Sequence, residues 1–404
     1  MFSRKRLAET FASALLVVLL ILSVRPANTG SNRSELSLLT EPDGTGVWHR
    51  LVDRFNQGHP AIPVRLVEGP AATDTRQDMY STAFLAGSGG YDIVYCDVIW
   101  VPKFAAAGWL LDISNQWNSG ERDEFLTADI EAGTYKGRLY RIPAFADAGL
   151  LYYRTDLVPS PPATFEDLFR LASLTQREGR WGFVWQGKQY EGLVANFLEV
   201  LWGFGGDWIT DDGRVLVDAP EGIAALRFLV KTIGSISPPG VTTYMEEDTR
   251  SIFQSGRAVF MRNWFYAAAA MDQSKSTVRG HVGFVPMVHA AGSSAATLGG
   301  WGFAISSRTP HPDAAVDFVK FMTAPEQMIE LLKTSGYIPA RKSLVPPEFR
   351  TVLEHARFRP RIPEYAQASD ILQRWVSAAL SGSISPENAL THAAKETRVL
   401  LGGQ

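Results

Sequence analysis

The 404-residue sequence predicts an α/β protein, long enough for about two or three domains. Short apolar runs such as LSLL, IPVRLVE and YDIVYC alternate with amphipathic segments such as GVWHRLVDRF. The composition, 46% hydrophobic and 20% charged, supplies a large core. A single cysteine, Cys96, excludes an intramolecular disulfide, so stability has to come from that core.

The first segment, MFSRKRLAETFASALLVVLLILSV, sets Arg4, Lys5 and Arg6 before an apolar run from Phe11 to Val24. That order predicts an export signal or an uncleaved N-terminal membrane anchor over residues 1–30. The run is short against the roughly 20 apolar residues of a spanning helix. TGSNRSE then reads as a tether, with the mature domain starting near Glu35.

After LSLL, GVWHRLVDRF and IPVRLVE, a helix is predicted from Asp74 to Leu85, followed by the strand YDIVYC. PPATFED predicts a helix from Phe165, because Pro161 and Pro162 break the preceding element and Thr164 is spaced to Asp167 as a capping box. Further helices are expected over Tyr190–Phe204, Pro220–Ile233, Thr249–Gln254, His311–Thr334 and Pro386–Leu401. Strands are expected over Trp181–Trp185, Ala258–Met261, His281–Val285 and Trp301–Ser306, with Gly299 and Gly300 marking a close backbone approach.

IPAFADAGLLYYRTDL, from Ile142 to Leu157, reads as a buried strand with one acid, Asp147, among small and apolar residues. A charge taken out of water costs several kcal/mol unless it is bonded or paired. Either the fold or a ligand must supply the partner. Two readings stand: a carboxylate facing a cleft, or one bonded to backbone N–H groups at a strand irregularity.

A net charge of -3 leaves no basic field for nucleic acid or an anionic membrane surface. The seven histidines show no metal-ligand spacing, so neither a metal nor a cofactor is expected. Cys96 reads as a small hydrophobe in its strand rather than as a reactive thiol.

YDIVYCDVIWVPKFAAAGWLLDIS, YKGRLYRIPAFADAGLLYYRTDL followed by PATFEDL, FQSGRAVFMRNW, LGGWGFAIS, HPDAAVDFVKFMTAPEQ and SGYIPAR occur in that order. In this they resemble the extracellular solute-binding proteins of sugar ABC importers, in particular the maltose, trehalose and α-glucoside branch. The resemblance covers nearly the whole mature chain. It implies the type II periplasmic-binding-protein fold, two α/β lobes discontinuous in sequence and joined by hinge strands, with sugar held between them. On that pattern lobe 1 is 35–147 plus 288–337 and lobe 2 is 148–287 plus 338–404, with crossings near Asp147, Pro286 and Ile338. Many bacterial members carry a lipobox cysteine after the signal. No cysteine lies near residues 20 to 35 here, which argues against a lipid anchor and for a periplasmic protein, free or held by its N-terminal helix.

Sugars present hydroxyls at their edges and weakly apolar faces, so a site for them combines charged or amide groups with aromatic planes. Glu41 ends the first strand and matches a sugar-contacting acid of the branch, with helix capping as its competing role. Asp97 ends YDIVYC and is similar to another such acid, or else caps the next helix. Arg76 lies near a family arginine, or is an exposed helix arginine. Trp264, Tyr266, Gly300 and Trp301 match positions that stack on or hydrogen-bond a pyranose, with core packing as the alternative. Arg359 resembles a late arginine that closes over the ligand, with Arg361 competing for the role. Asp147 completes the set, and Trp100, Phe145, Trp185 and Trp202 are secondary candidates for the cleft wall.

These residues predict a non-enzymatic, monomeric binding protein that delivers a small α-glucoside to the transmembrane subunits of an ABC permease. Trehalose, maltose, sucrose and glucosylglycerol all fit. The competing class is a secreted glycoside hydrolase, since several cleft acids also describe a sugar-cleaving site, although no hydrolase motif lies beside any of them. A sensor subunit would use the same site.

Overall fold

The structure, a computed structural model, describes residues 35–87, 90–290 and 296–403. The predicted export segment and the tether after it lie outside these residues. Among the described residues no helix is long and apolar enough to cross a membrane.

Eleven strands are described: β1 (Leu36–Thr40), β2 (Val64–Glu68), β3 (Ile93–Asp97), β4 (Thr134–Tyr135), β5 (Arg138–Leu139), β6 (Arg141–Arg154), β7 (Trp181–Val184), β8 (Ala258–Trp264), β9 (Val282–Pro286), β10 (Leu298–Ile305) and β11 (Ile338–Pro339). The main strand order is β2-β1-β3-β10-β6-β8-β7, with β9 and β11 also on β6. β1 runs parallel to β2 and β3, whereas β10 is antiparallel to β3 and β6. β1 and β3 are buried on both faces, as continuous apolar runs in parallel sheets are.

β6 joins the two halves of the molecule. Its 14 residues span about 45 Å. Up to Ala148 it pairs with β10, and from Gly149 it pairs with β8. The strand therefore leaves one sheet and enters the other beside Asp147. Gly149 is required at the exchange, because a Cβ there would collide with the carboxylate of Glu199. That carboxylate forms a fully buried two-bond pair with Arg262 of β8, at 2.8 and 2.5 Å. Gly300 on β10 has φ +106, and a Cβ on it would stand 2.6 Å from the Phe145 carbonyl oxygen. Only glycine lets β10 and β6 approach this closely with that backbone.

The helix Val47–Gly58 packs Val47, Trp48, Leu51, Val52 and Phe55 inward, on a single face. Thr164 accepts from the Asp167 N–H at 3.0 Å and starts the helix Phe165–Thr175. The predicted helix 311–334 is two helices, Pro312–Met322 and Pro325–Ser335. Proline at 325 has no N–H and forces Ala324 into an extended conformation, which ends one helix and begins the next. The helix predicted from Thr249 begins earlier, at Glu246, and β10 begins three residues before Trp301. The helix Tyr365–Leu380 was not predicted. Its inward face includes Ala368, Ser369, Gln373 and Ala379, which dilute the apolar stripe by which periodicity is read. It packs with the helices Glu191–Gly203, Pro220–Thr232 and Pro386–Leu400 beside the second sheet.

Candidate functional site

A cavity of about 720 Å³ opens where β6 changes sheets. All nine predicted site residues line it: Glu41, Arg76, Asp97, Asp147, Trp264, Tyr266, Gly300, Trp301 and Arg359. Glu41 and Asp97 reach it because both stand at the ends of adjacent parallel strands, the edge where open α/β sheets present side chains to ligands.

Glu41 does not cap the following helix. Asp43 does so, accepting from the Trp48 N–H at 2.8 Å, while its other oxygen takes the Thr45 N–H and hydroxyl. Glu41 is held instead by the hydroxyls of Tyr95 at 3.1 Å and Tyr337 at 2.9 Å, and by Arg76 at 3.4 Å. Arg76 is 1% exposed, which removes the exposed-helix reading. It donates to the carbonyls of Pro70 and Ala71, and its Nε has no partner among the described residues.

Trp301 lies in a stack. Tyr95 is nearly parallel to it at 4.6 Å, the Arg76 guanidinium stands 4.5 Å from its ring, and Trp100 meets it edge-on at 5.2 Å. Trp264 is arranged similarly, with the Arg262 guanidinium 4.0 Å from its ring and its Nε1 donating to Glu246 at 3.2 Å. Both tryptophans therefore join the cavity wall to buried charge. The Tyr266 hydroxyl donates to Glu247 at 2.8 Å. Phe145, a secondary candidate, lines the cavity and stacks on Tyr337 at 4.2 Å. Trp100, Trp185 and Trp202 are buried core residues outside the lining.

Asp97 combines a place in the cavity wall with a turn hydrogen bond, and it does not cap the next helix, Val101–Ala106. Its Oδ1 accepts from the Ile99 N–H at 3.1 Å and faces Arg359 at 3.4 Å. Between the two arginines the geometry is clear. Arg359 is buried in the cavity wall and bonds Glu191 at 2.8 Å, whereas Arg361 is exposed and pairs with Glu131. Burial alone would lower the Arg359 pKa, but Asp97, Tyr365 and Glu191 around it carry it upward.

Asp147 combines its two readings. Its Oδ1 accepts the backbone N–H groups of Ala148 at 2.9 Å and Phe265 at 2.8 Å, as at a strand irregularity. The carboxyl group nevertheless lines the cavity, and among the described residues no protein donor bonds its Oδ2. Burial pushes its pKa up to about 8, against the two N–H groups and Arg262, which pull it down.

Residues absent from the sequence reading complete the wall. Glu191, the first residue of its helix, accepts from Arg359, Tyr365 and Ser369, and burial holds its pKa above the usual carboxylate range. Glu246 takes the Tyr190 hydroxyl and Trp264 Nε1. The three acids in MEED were a signal for the second, and Tyr337 lay within SGYIPAR. Glu191 had no local signal, because its partners, Arg359 and residues of the helix Tyr365–Leu380, lie far along the chain. Hydroxyl acceptors, guanidinium groups and aromatic side chains around one hollow can hydrogen-bond and pack against a polyhydroxylated molecule.

The family model for bacterial extracellular solute-binding protein matches residues 41–329. A probable ABC transporter-binding protein of Deinococcus radiodurans is 33% identical, over 81% of this chain and 84% of its own length. The mannitol-binding protein of Pseudomonas aeruginosa is 25% identical, over 86% of this chain and 88% of its own. Among solved structures, T. maritima MalE3 with maltose bound has a TM-score of 0.87 and 39% identity, covering 91% of this chain and 99% of that one.

Proposed function

The chain belongs to the bacterial extracellular solute-binding proteins and is a two-lobed sugar-binding component of an ABC transporter, and from that premise we propose that its ligand is a small α-glucoside. Maltose, trehalose, sucrose and glucosylglycerol represent the class. The protein acts outside the cytoplasm, in keeping with its family. In this reading a monomer captures the sugar without cleaving it and passes it to the transmembrane subunits of an importer. Lobe 1 is 35–147 plus 288–337, and lobe 2 is 148–287 plus 338–404.

The observation that carries this reading is the cavity of about 720 Å³ lined by acids, arginines and aromatic side chains from both halves of the chain. Such a volume suits a ligand of two or more rings. A six-carbon polyol of the kind bound by the P. aeruginosa relative would leave much of it to water. The T. maritima structure, at 39% identity, holds maltose. Glu41, Asp97 and Asp147 are the proposed hydroxyl acceptors, Arg76 and Arg359 the donors, Trp264, Tyr266 and Trp301 the aromatic wall, and Gly300 the open backbone.

A thermal-shift and calorimetric panel of maltose, trehalose, sucrose, glucosylglycerol and mannitol tests the proposal. A ligand at 100 times its dissociation constant stabilises the native state by about 2.7 kcal/mol. At least one α-glucoside should do so and emerge unhydrolysed. Binding of mannitol alone, or sustained turnover of a glucoside, overturns it.

A further inference from the structure

We propose that, within the α-glucoside class, this cleft selects glycosides carrying a protonated amine, with Asp147 as the counter-charge. The inference rests on the preceding reading of the cavity as a sugar site and names the ligand more closely.

Eight carboxyl side chains line the cavity and only three arginines do. The acids are Glu41, Asp43, Asp97, Asp147 and Glu191 together with the acidic run 246–248. The carboxyl groups outnumber the arginines by five, against a net charge of -3 for the whole chain, so acid groups are concentrated in the cleft. Each of the three arginines already faces an acid of the protein. Arg76 is held by Glu41 and two carbonyls, Arg250 by Glu247, and Arg359 by Asp97 and Glu191. Sugar phosphates and uronic acids are therefore poor ligands, and the site has room for positive charge.

Asp147 fixes where that charge would go. The residue is 8% exposed, its Oδ1 is occupied by two backbone N–H groups, and its Oδ2 has no protein donor among the described residues. Arg262, the cation whose charge acts on it, is committed through two nitrogens to Glu199. Glu41 adds negative charge nearby, and Tyr152 and Tyr337 are the other titratable groups that face it. A neutral sugar can bond Oδ2 through a hydroxyl but brings no counter-charge to the acids around it. An ammonium group does both, in a site where water is displaced and charge pairs are strong.

With its pKa near 8, the Asp147 carboxyl is largely protonated at pH 6.5 in the empty cleft. Pairing with an ammonium ion ionises it, and its proton passes to the buffer. Proton release thus separates charge pairing from hydroxyl recognition.

The test is calorimetry of the full chain at pH 6.5, in two buffers of different ionisation enthalpy. Trehalose and maltose are compared with their 2-, 3-, 4- and 6-amino-deoxy analogues. At least one analogue should bind tenfold or more tightly than its parent, with a heat that depends on the buffer, and Asp147→Asn should bring the ratio of amine to parent close to one. If every analogue binds no better than its parent, the inference is overturned while the sugar reading stands. If neither parents nor analogues bind, both fall. Proton release is measured on the unaltered protein, so the outcome does not depend on the variant folding.

Discussion

The carboxylate of Asp74 accepts a hydrogen bond of 3.1 Å from the backbone N–H of Glu191, joining the start of a helix beside the first sheet to the start of a helix beside the second. Gln373 donates to the same oxygen at 3.2 Å. Together with the Asp97–Arg359 contact, this forms a polar latch across the cleft.

The Asp74 carboxyl is pushed up to about 7, first by burial and then by the charge of Glu191. An acid whose pKa is raised by the latched arrangement penalises that arrangement when ionised, above about pH 7. The penalty is relieved as pH falls toward the ordinary carboxylate value near 4. Sugar affinity in the unaltered protein should therefore rise severalfold from pH 8 to pH 5. Asp74→Asn should flatten the profile and bind more tightly at pH 8. Asp147 is unchanged in both proteins and cancels in the comparison. Identical slopes would exclude Asp74 as the titrating group.

Arg359→Met leaves Asp97 and Glu191 buried without their cation. Breaking a buried pair costs about 3 to 5 kcal/mol, and the remaining donors Tyr365 and Ser369 place the expected loss near the lower figure. Arg361→Met removes only an exposed ion pair and should cost less than about 1 kcal/mol. Denaturant unfolding of the two variants distinguishes them, and equal losses would remove the argument.

Gly299 pairs with Asp147 across β10 and β6, and a Cβ on it would stand 2.9 Å from a ring carbon of Trp264. Gly299→Ala should shift the indole, weaken its 3.2 Å bond to Glu246 and lower sugar affinity about tenfold, with Tm falling by only a few degrees. A variant with unchanged affinity would show that the position of Trp264 does not matter for binding.

Trp301→Ala removes the surface on which Tyr95 and Arg76 lie. The expected cost is about 3 kcal/mol of stability and a further 2 kcal/mol of binding. Trp301→Phe keeps a ring between them and should recover most of the stability but less of the affinity. Titrations of folded protein and melting curves give the two values separately. If affinity survives in the alanine variant, Trp301 serves packing alone.

Local pattern made much of this legible. The alternation of apolar runs and amphipathic segments marks β1, β3 and the helix Val47–Gly58, because each element must bury one face or both. Glu41 and Asp97 could be read as site residues because polar groups directly after buried strands stand at a sheet edge. Gly299 and Gly300 announced a close approach because side chains would not fit there.

Tertiary structure decided the rest. The second N–H on Asp147 comes from Phe265, 118 residues away, and Arg359 meets Asp97 from 262 residues away. Glu191 acquires its role from Tyr365 and Ser369, on a helix whose inward face is too polar for periodicity to reveal. The sequence by itself determined the strands and helices with a clear apolar pattern and the residues that end at the sheet edge, since these follow from burial along a few consecutive residues. Which carboxyl group is neutralised, which arginine faces the cavity and which acid is left without a counter-charge depend on groups brought together by chain crossings, and only the folded molecule fixes those distances.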